Sequence, residues 1–281
     1  MRAPCLIFAG LLAVASLASA SAAKPARHEK SAAAKSSAAK SAAAKSPKLN
    51  PNLREQILNH TGFGPLAIYR ESDHPSRVVV FVSGDGGWRL GVVDMARHLA
   101  DLDALVIGVD IRKYLKRLEK APEPCNDSAA DFEEIGRYVQ KELGYPTIKR
   151  PILVGYSSGA TLVYAALVQA EPERFRGAIS LGFCPDLPVV KPFCAGRGLR
   201  FTKNPKAKGV LFETTSTLEE PWYVFQGSVD QVCDPEDTAD YTKKVRHGEL
   251  VWLEKVGHGF SVERRWLPQF RDAFDRVAGA K

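Results

Sequence analysis

Ile152-Leu153-Val154-Gly155-Tyr156-Ser157-Ser158-Gly159-Ala160-Thr161-Leu162-Val163-Tyr164 is the stretch on which the reading of this chain turns. Three apolar residues without polar alternation suit a strand covered on both faces, and the apolar run after Gly159 suits a helix packed against it. Between them stands Ser157, with a glycine two residues before and another two after. A serine so placed sits on a tight strand-to-helix turn that lifts its hydroxyl above the sheet, and the small residues let strand and helix approach. The bare pattern arises by chance in roughly one chain in ten of this length. Its weight therefore comes from the strand before it and the helix after it. Ser158 fails the spacing to both glycines.

Outward from this turn the chain alternates between the two periods. Apolar runs predict strands at about Leu66–Arg70, Val78–Val82, Ala104–Val109, Pro151–Val154, Ala178–Leu181, Trp222–Gln226 and Leu250–Leu253. Helices are expected over Leu90–Leu99, Ser128–Leu143, Gly159–Ala170, Pro235–Val245 and Arg264–Ala278. In the second of these, Phe132, Ile135, Tyr138 and Val139 make one apolar stripe behind a Ser128 cap. Strands alternating with helices predict a mainly parallel sheet with helices on both faces, as one domain over residues 49–281.

Three further signals fall at strand ends. Ser83-Gly84-Asp85-Gly86-Gly87-Trp88 follows the Val78–Val82 strand, and glycines there leave bare backbone N–H groups free to reach a substrate oxygen. With the N–H of Ser158, those of Gly84 and Asp85 are the expected oxyanion-hole donors, each worth about 3 kcal/mol to a developing oxyanion. The loop lacks the Gly-Lys-Ser/Thr ending of a phosphate-binding loop. Asp230 follows the strand Trp222–Gln226 and is the expected acid; Asp234, beside Pro235, reads as a helix cap. His258, in Gly257-His258-Gly259-Phe260 after the last strand, is the expected base. His28 lies in the tail, and His60, His74, His98 and His247 read as solvated. The order serine, acid, histidine is that of the α/β-hydrolase fold. The chemistry needs no cofactor, and the histidines and cysteines have no metal-ligand spacing.

The ends of the chain carry different information. Arg2 precedes an apolar run from Leu6 to Ala18 that ends in Ala18-Ser19-Ala20, which reads as a signal peptide over residues 1–20. Residues 21–48 are an Ala/Lys/Ser-rich linker whose seven cations, against one acid, account with Arg2 for the whole formal charge of +7. The rest is balanced, so nothing argues for nucleic acid, while the basic linker could hold the protein near an anionic membrane. Export implies an oxidising compartment, and Cys125, Cys184, Cys194 and Cys233 then allow two disulfides. Three pairings are open, Cys184 and Cys194 being near enough in the chain to close a short loop.

The segments Ser83–Trp88, Gly155–Thr161, Phe183-Cys184-Pro185-Asp186 and Val256–Phe260 resemble the AcvB/VirJ family of bacterial periplasmic virulence proteins, from about Arg77 to Phe274. The Phe-Cys-Pro-Asp segment makes the chain look closer to the first half of AcvB. The resemblance implies a periplasmic serine hydrolase whose triad positions are matched by Ser157, Asp230 and His258. It also implies a link to type IV secretion and to hydrolysis of lysyl-phosphatidylglycerol, which makes aminoacylated phospholipid the leading substrate class. A lysyl ester is cationic, so Asp85, Asp110, Asp186 and Asp234, all on loops at strand ends, join Trp88 as candidate substrate contacts. Two other readings stand beside this one: a dienelactone-hydrolase-like or carbohydrate esterase, and a non-catalytic secretion accessory.

Overall fold

The structure, a computed structural model, describes residues 50–89 and 91–279. The signal peptide and linker expected over residues 1–48 lie outside the described residues, as do Leu49 and Leu90.

The chain opens on a hairpin, β1 (Arg54–His60) paired antiparallel with β2 (Gly64–Arg70). Alternating elements follow: β3 (Arg77–Val82), α1 (Val93–Ala100), β4 (Ala104–Val109), α2 (Ile111–Lys120), α3 (Ser128–Glu142), β5 (Ile152–Tyr156), α4 (Ser158–Gln169) and β6 (Ala178–Leu181). Three short strands then form a separate antiparallel sheet in the order β7-β9-β8: β7 (Asp186–Leu187), β8 (Phe201–Lys203) and β9 (Val210–Phe212). The main motif resumes with β10 (Trp222–Gly227), α5 (Pro235–Lys243), β11 (Gly248–Leu253) and α6 (Leu267–Gly279).

The main sheet runs β1-β2-β4-β3-β5-β6-β10-β11. Only β1 and β2 run antiparallel to their neighbours; β4 through β11 are parallel. Successive residues of β3 show why its sequence does not alternate. Val78, Val80 and Val82 pack into a core shared with α2, α3 and α4, while Val79 and Phe81 pack into a second core shared with α1 and α6. Both faces of the strand are therefore apolar, as a parallel sheet between two helical layers requires.

The seven expected strands are all present, each within a few residues of its expected bounds. Several elements go beyond the sequence reading. β1 has no buried residue and no apolar run, so it pairs at the sheet edge with little signal of its own. The helix α2 places Ile111, Tyr114 and Leu118 on its buried side, a three- and seven-residue spacing set among charged residues. The cap of α3 is Asp127, whose side chain accepts from the Ala130 N–H, instead of Ser128, which lies buried inside the first turn. His98 is 7% exposed, not solvated, and stands 3.3 Å from Glu263 and edge-on to Trp266. The His60 side chain is likewise largely covered, against Phe63 and Tyr138.

The two disulfides join Cys125 to Cys194 and Cys184 to Cys233, not Cys184 to Cys194. They close loops of 69 and 49 residues. Loops that long give about 4 kcal/mol each in chain-entropy terms.

β5 and α4 approach so closely that only glycines fit between them. A Cβ on Gly155 would stand 2.2 Å from the Gly159 carbonyl oxygen, and one on Gly159 would stand 2.3 Å from that of Val82. Both neighbours are backbone and cannot rotate away. Gly155→Ala should therefore cost about 3 kcal/mol or more, the upper end of overpacking costs, read as a lowered urea midpoint at unchanged m-value.

Candidate active site

The elbow between β5 and α4 holds Ser157 at φ +56° and ψ −126°, a conformation that side-chain-bearing residues rarely adopt. Such strain persists only where the surroundings over-determine it. Here the Ser157 N–H donates to the Leu181 carbonyl at 2.9 Å, and the Ser157 carbonyl accepts from Ala160 at 2.7 Å. The residue stands at the cap position of α4, yet its hydroxyl makes no cap hydrogen bond. That leaves Oγ to His258, whose Nε2 lies 2.9 Å away.

On the other side of the ring, Nδ1 lies 2.9 Å from Oδ2 of Asp230. The serine comes from the end of β5, the aspartate from the loop after β10 and the histidine from the loop after β11. Parallel order puts all three at the carboxyl edge of the sheet. Asp230 is buried and fully engaged: Oδ1 accepts from the N–H groups of Val232 at 2.8 Å and Cys233 at 3.0 Å, and Oδ2 also accepts from Gln226 Nε2 at 3.3 Å. Burial pushes its carboxyl pKa up, but the hydrogen bonds from His258, Val232 and Cys233 outweigh burial and hold it below the ordinary carboxylate value. An ionised Asp230 fixes the Nδ1–H tautomer of the neutral imidazole, leaving Nε2 to accept from the serine.

The loop after β3 closes over the serine. A Cβ on Gly84 would stand 2.9 Å from Ser157 Cβ and 3.1 Å from the Tyr156 ring, so only glycine fits. The loop is pinned where Ser83 Oγ accepts from Ile111 N–H and where Gly87 N–H donates to the Gly84 carbonyl. Ser158 begins α4, so its N–H is one of the donors a first helical turn leaves without an intrahelical partner. Its hydroxyl donates to Asp85 Oδ1 at 2.7 Å, which joins the two strand-end loops and leaves the exposed Asp85 carboxylate beside the serine.

The remaining candidates fall in two separate places. Trp88 and Asp110 line one groove of about 390 Å³. The Trp88 indole packs on Phe81 and donates to Tyr69 OH, while Asp110 caps α2, accepts from Trp88 N–H and pairs with Arg112. Both are occupied in building the fold. Asp186 and Asp234 line another groove, of about 680 Å³, one wall of which is the Cys184–Cys233 bridge. There Asp234 caps α5 through the N–H groups of Glu236 and Asp237, and Asp186 is exposed on β7. Sequence reading missed Gln226, whose position as the last inward residue before Gly227 was the available signal. It also missed Gly182, at φ +65°, where a Cβ would stand 3.0 Å from His258 Cε1.

Fold and constellation together place the chain in the α/β-hydrolase fold, with a serine, a histidine and an aspartate hydrogen-bonded in series at the carboxyl edge of the sheet. The family described as "Bacterial virulence protein (VirJ)" matches residues 76–181, which bears out the AcvB/VirJ resemblance over that stretch. The match spans β3 to β6, with the Gly84 loop and the Ser157 elbow, and stops before Asp230 and His258. No curated protein matches the chain by sequence. Solved structures similar to it include Est1E from Butyrivibrio proteoclasticus with ferulic acid bound (13% identity, 80% of this chain and 100% of that one, TM-score 0.53). A Pyrobaculum calidifontis esterase is 18% identical over 80% of this chain and 83% of that one, with a TM-score of 0.52. The esterase domain of a Rhodothermus marinus protein is 15% identical over 80% and 98%, with a TM-score of 0.51. At these identities the likeness is one of fold.

Because the Asp230 pKa is lowered in the folded state, its ionisation stabilises the protein above the unfolded carboxylate pKa of about 3.9, and that stabilisation is lost as pH falls through the lower native value. Urea midpoints measured from pH 5 down to 2 should fall less steeply for Asp230→Asn than for wild type. Parallel curves would refute the assignment.

Proposed function

We propose that the chain is an exported serine hydrolase acting on carboxylic esters. The observation that carries this is the series Ser157 Oγ, His258 Nε2, His258 Nδ1, Asp230 Oδ2, with 2.9 Å at each hydrogen bond, set on a strained elbow at the end of a parallel strand. His258 takes the proton of Ser157 as Oγ attacks the acyl carbonyl, and the oxyanion meets the N–H groups of Ser158 and of the Gly84–Asp85 loop. His258 then returns the proton to the leaving alcohol. Water attacks the acyl-enzyme by the same route and frees Ser157. Gly84 lets the loop approach the serine, and Asp230 stays ionised to stabilise the imidazolium.

Export to the periplasm rests on the signal peptide read over residues 1–20 and on the two disulfides. The linker over residues 21–48 then joins a domain over residues 49–281 to that origin, and its cations suit contact with an anionic membrane. Aminoacylated phospholipid, such as lysyl-phosphatidylglycerol, is the leading substrate class. Its support is the VirJ match together with Asp85, the one candidate carboxylate hydrogen-bonded to the residue that follows the nucleophile. In an aminoacyl ester the α-ammonium is one carbon from the carbonyl, so a carboxylate beside the oxyanion donors is placed to meet it.

Labelling with a fluorophosphonate tests the reading directly. Wild type should label and Ser157→Ala should not; an unlabelled wild type, or a labelled Ser157→Ala, overturns it. Asp230→Asn should lower kcat on a p-nitrophenyl ester by about 10⁴, as expected when the histidine tautomer is lost. For the substrate class, the ratio of kcat/KM for a lysyl ester over its deaminated analogue should drop about tenfold or more in Asp85→Asn, the scale of one charged contact. An unchanged ratio removes Asp85 from the role.

A further inference from the structure

The Phe183-Cys184-Pro185-Asp186 segment is the one singled-out stretch that the proposed chemistry leaves unused. Its cysteine is bonded to Cys233, three residues beyond the acid. Cys233 Sγ, Asp230 and His258 bring side-chain donor atoms within 4.8 Å of one another, so the bridge lies against the acid–base pair itself.

Each end of the bridge is tied to a different part of the site. At the acid end, the Cys233 N–H donates to Asp230 Oδ1, and the Cys233 carbonyl accepts from Gln226 Nε2, which also reaches Oδ2 of the same carboxylate. At the other end, the Cys184 carbonyl accepts from Thr161 Oγ1, one turn along α4 from the serine. The preceding Phe183 carbonyl accepts from Thr238 on α5, and Gly182 stands against the His258 ring. The acid loop is not fastened evenly. Its first half is sewn to the neighbouring turn, Ser228 to Leu253 and Val229 to Val256. Its second half, which supplies both N–H donors to Asp230 Oδ1, includes Gln231 and Val232, both exposed, and gains its covalent anchor only at Cys233.

We propose that the Cys184–Cys233 disulfide is a positioning element of the active site, holding the Val232 and Cys233 N–H groups on Asp230 so that its carboxylate stays aligned on His258. The inference rests on the esterase reading above. The second bridge provides the contrast. Cys125–Cys194 is flanked by backbone hydrogen bonds, Asn126 N–H to Pro192 and Cys194 N–H to Asn126, and by Gln169 Nε2 on both the Asn126 and the Cys194 carbonyls. It braces the start of α3 and touches none of Ser157, Asp230 or His258.

The test compares Cys184→Ala/Cys233→Ala with Cys125→Ala/Cys194→Ala in the full chain, on a soluble p-nitrophenyl ester at a temperature where circular dichroism shows both folded. The first variant should lose about a hundredfold in kcat with little change in KM, the scale of a misplaced catalytic group, and should label more slowly with fluorophosphonate. The second should keep its kcat although its thermal midpoint falls. Should the first variant fail to fold, native wild type is titrated with tris(2-carboxyethyl)phosphine, and each bridge is followed by alkylation and mass spectrometry. Activity should then disappear in step with reduction of the Cys184–Cys233 bridge, scored by alkylation of a quenched aliquot, and return when an unalkylated aliquot is reoxidised. Full activity with those two cysteines alkylated, or equal kcat losses in the two double variants, overturns the positioning role while leaving the esterase reading intact. A wild type that neither turns over the ester nor labels overturns both.

Discussion

The contact on which the rest of the site depends is made without side chains. Gly155 of β5 faces the backbone of Gly159 in α4, and Gly159 faces the backbone of Val82 at the end of β3. Any Cβ at either position would overlap a carbonyl oxygen. The closeness sets how sharply the chain must turn between strand and helix, and that sharpness puts Ser157 at a positive φ with its hydroxyl clear of the helix cap. It also brings β3 near enough for the loop that begins at Ser83 to lie over the serine. Nucleophile and oxyanion loop thus have one geometric origin, a three-way backbone contact among β3, β5 and α4.

The acid and base are placed by a different device. β10 and β11 add to the β6 edge of the sheet in parallel, so the loops that leave them open on the side where the elbow already stands. Beneath these loops Trp222 packs against Tyr164 and Phe183 and donates its indole N–H to Ser180 at 2.9 Å, while Tyr241 lies tilted against Phe183. The cluster joins α4, β10, α5 and the loop after β6 into one packed block. Asp230 can therefore be buried and still ionised, since the groups that satisfy it are attached to that block.

How much of this was legible in the sequence follows from where the free energy lies. Strands such as Val78–Val82 and Ala104–Val109 are covered on both faces, so their identity is written in unbroken apolar runs. Ser157, Asp230 and His258 could be singled out because each follows the carboxyl end of a strand, and the structure brings all three within hydrogen-bond reach. What could not be read depends on neighbours. β1 has no fully buried residue and is held mainly by pairing with β2; β7, β8 and β9 are two or three residues long. The cap of α3 shifts by one residue because Asp127 and Ser128 are both good caps, and only packing decides which is buried. The disulfide pairing joins cysteines 69 and 49 residues apart in the chain that meet in space, and sequence alone left three pairings open. Gln226 was missed because a polar residue ending a strand is unremarkable until a buried carboxylate stands opposite it.

The order of the strands in the sheet differs from their order in the chain, with a temporal consequence. A nascent polypeptide completed through β6 already contains the elbow and its glycine loop, but neither an acid nor a base to activate the serine. Those arrive only with β10 and β11, the last two strands to be made. A chain whose last two strands have yet to fold carries an inert hydroxyl. The protection comes from the order of the elements along the chain.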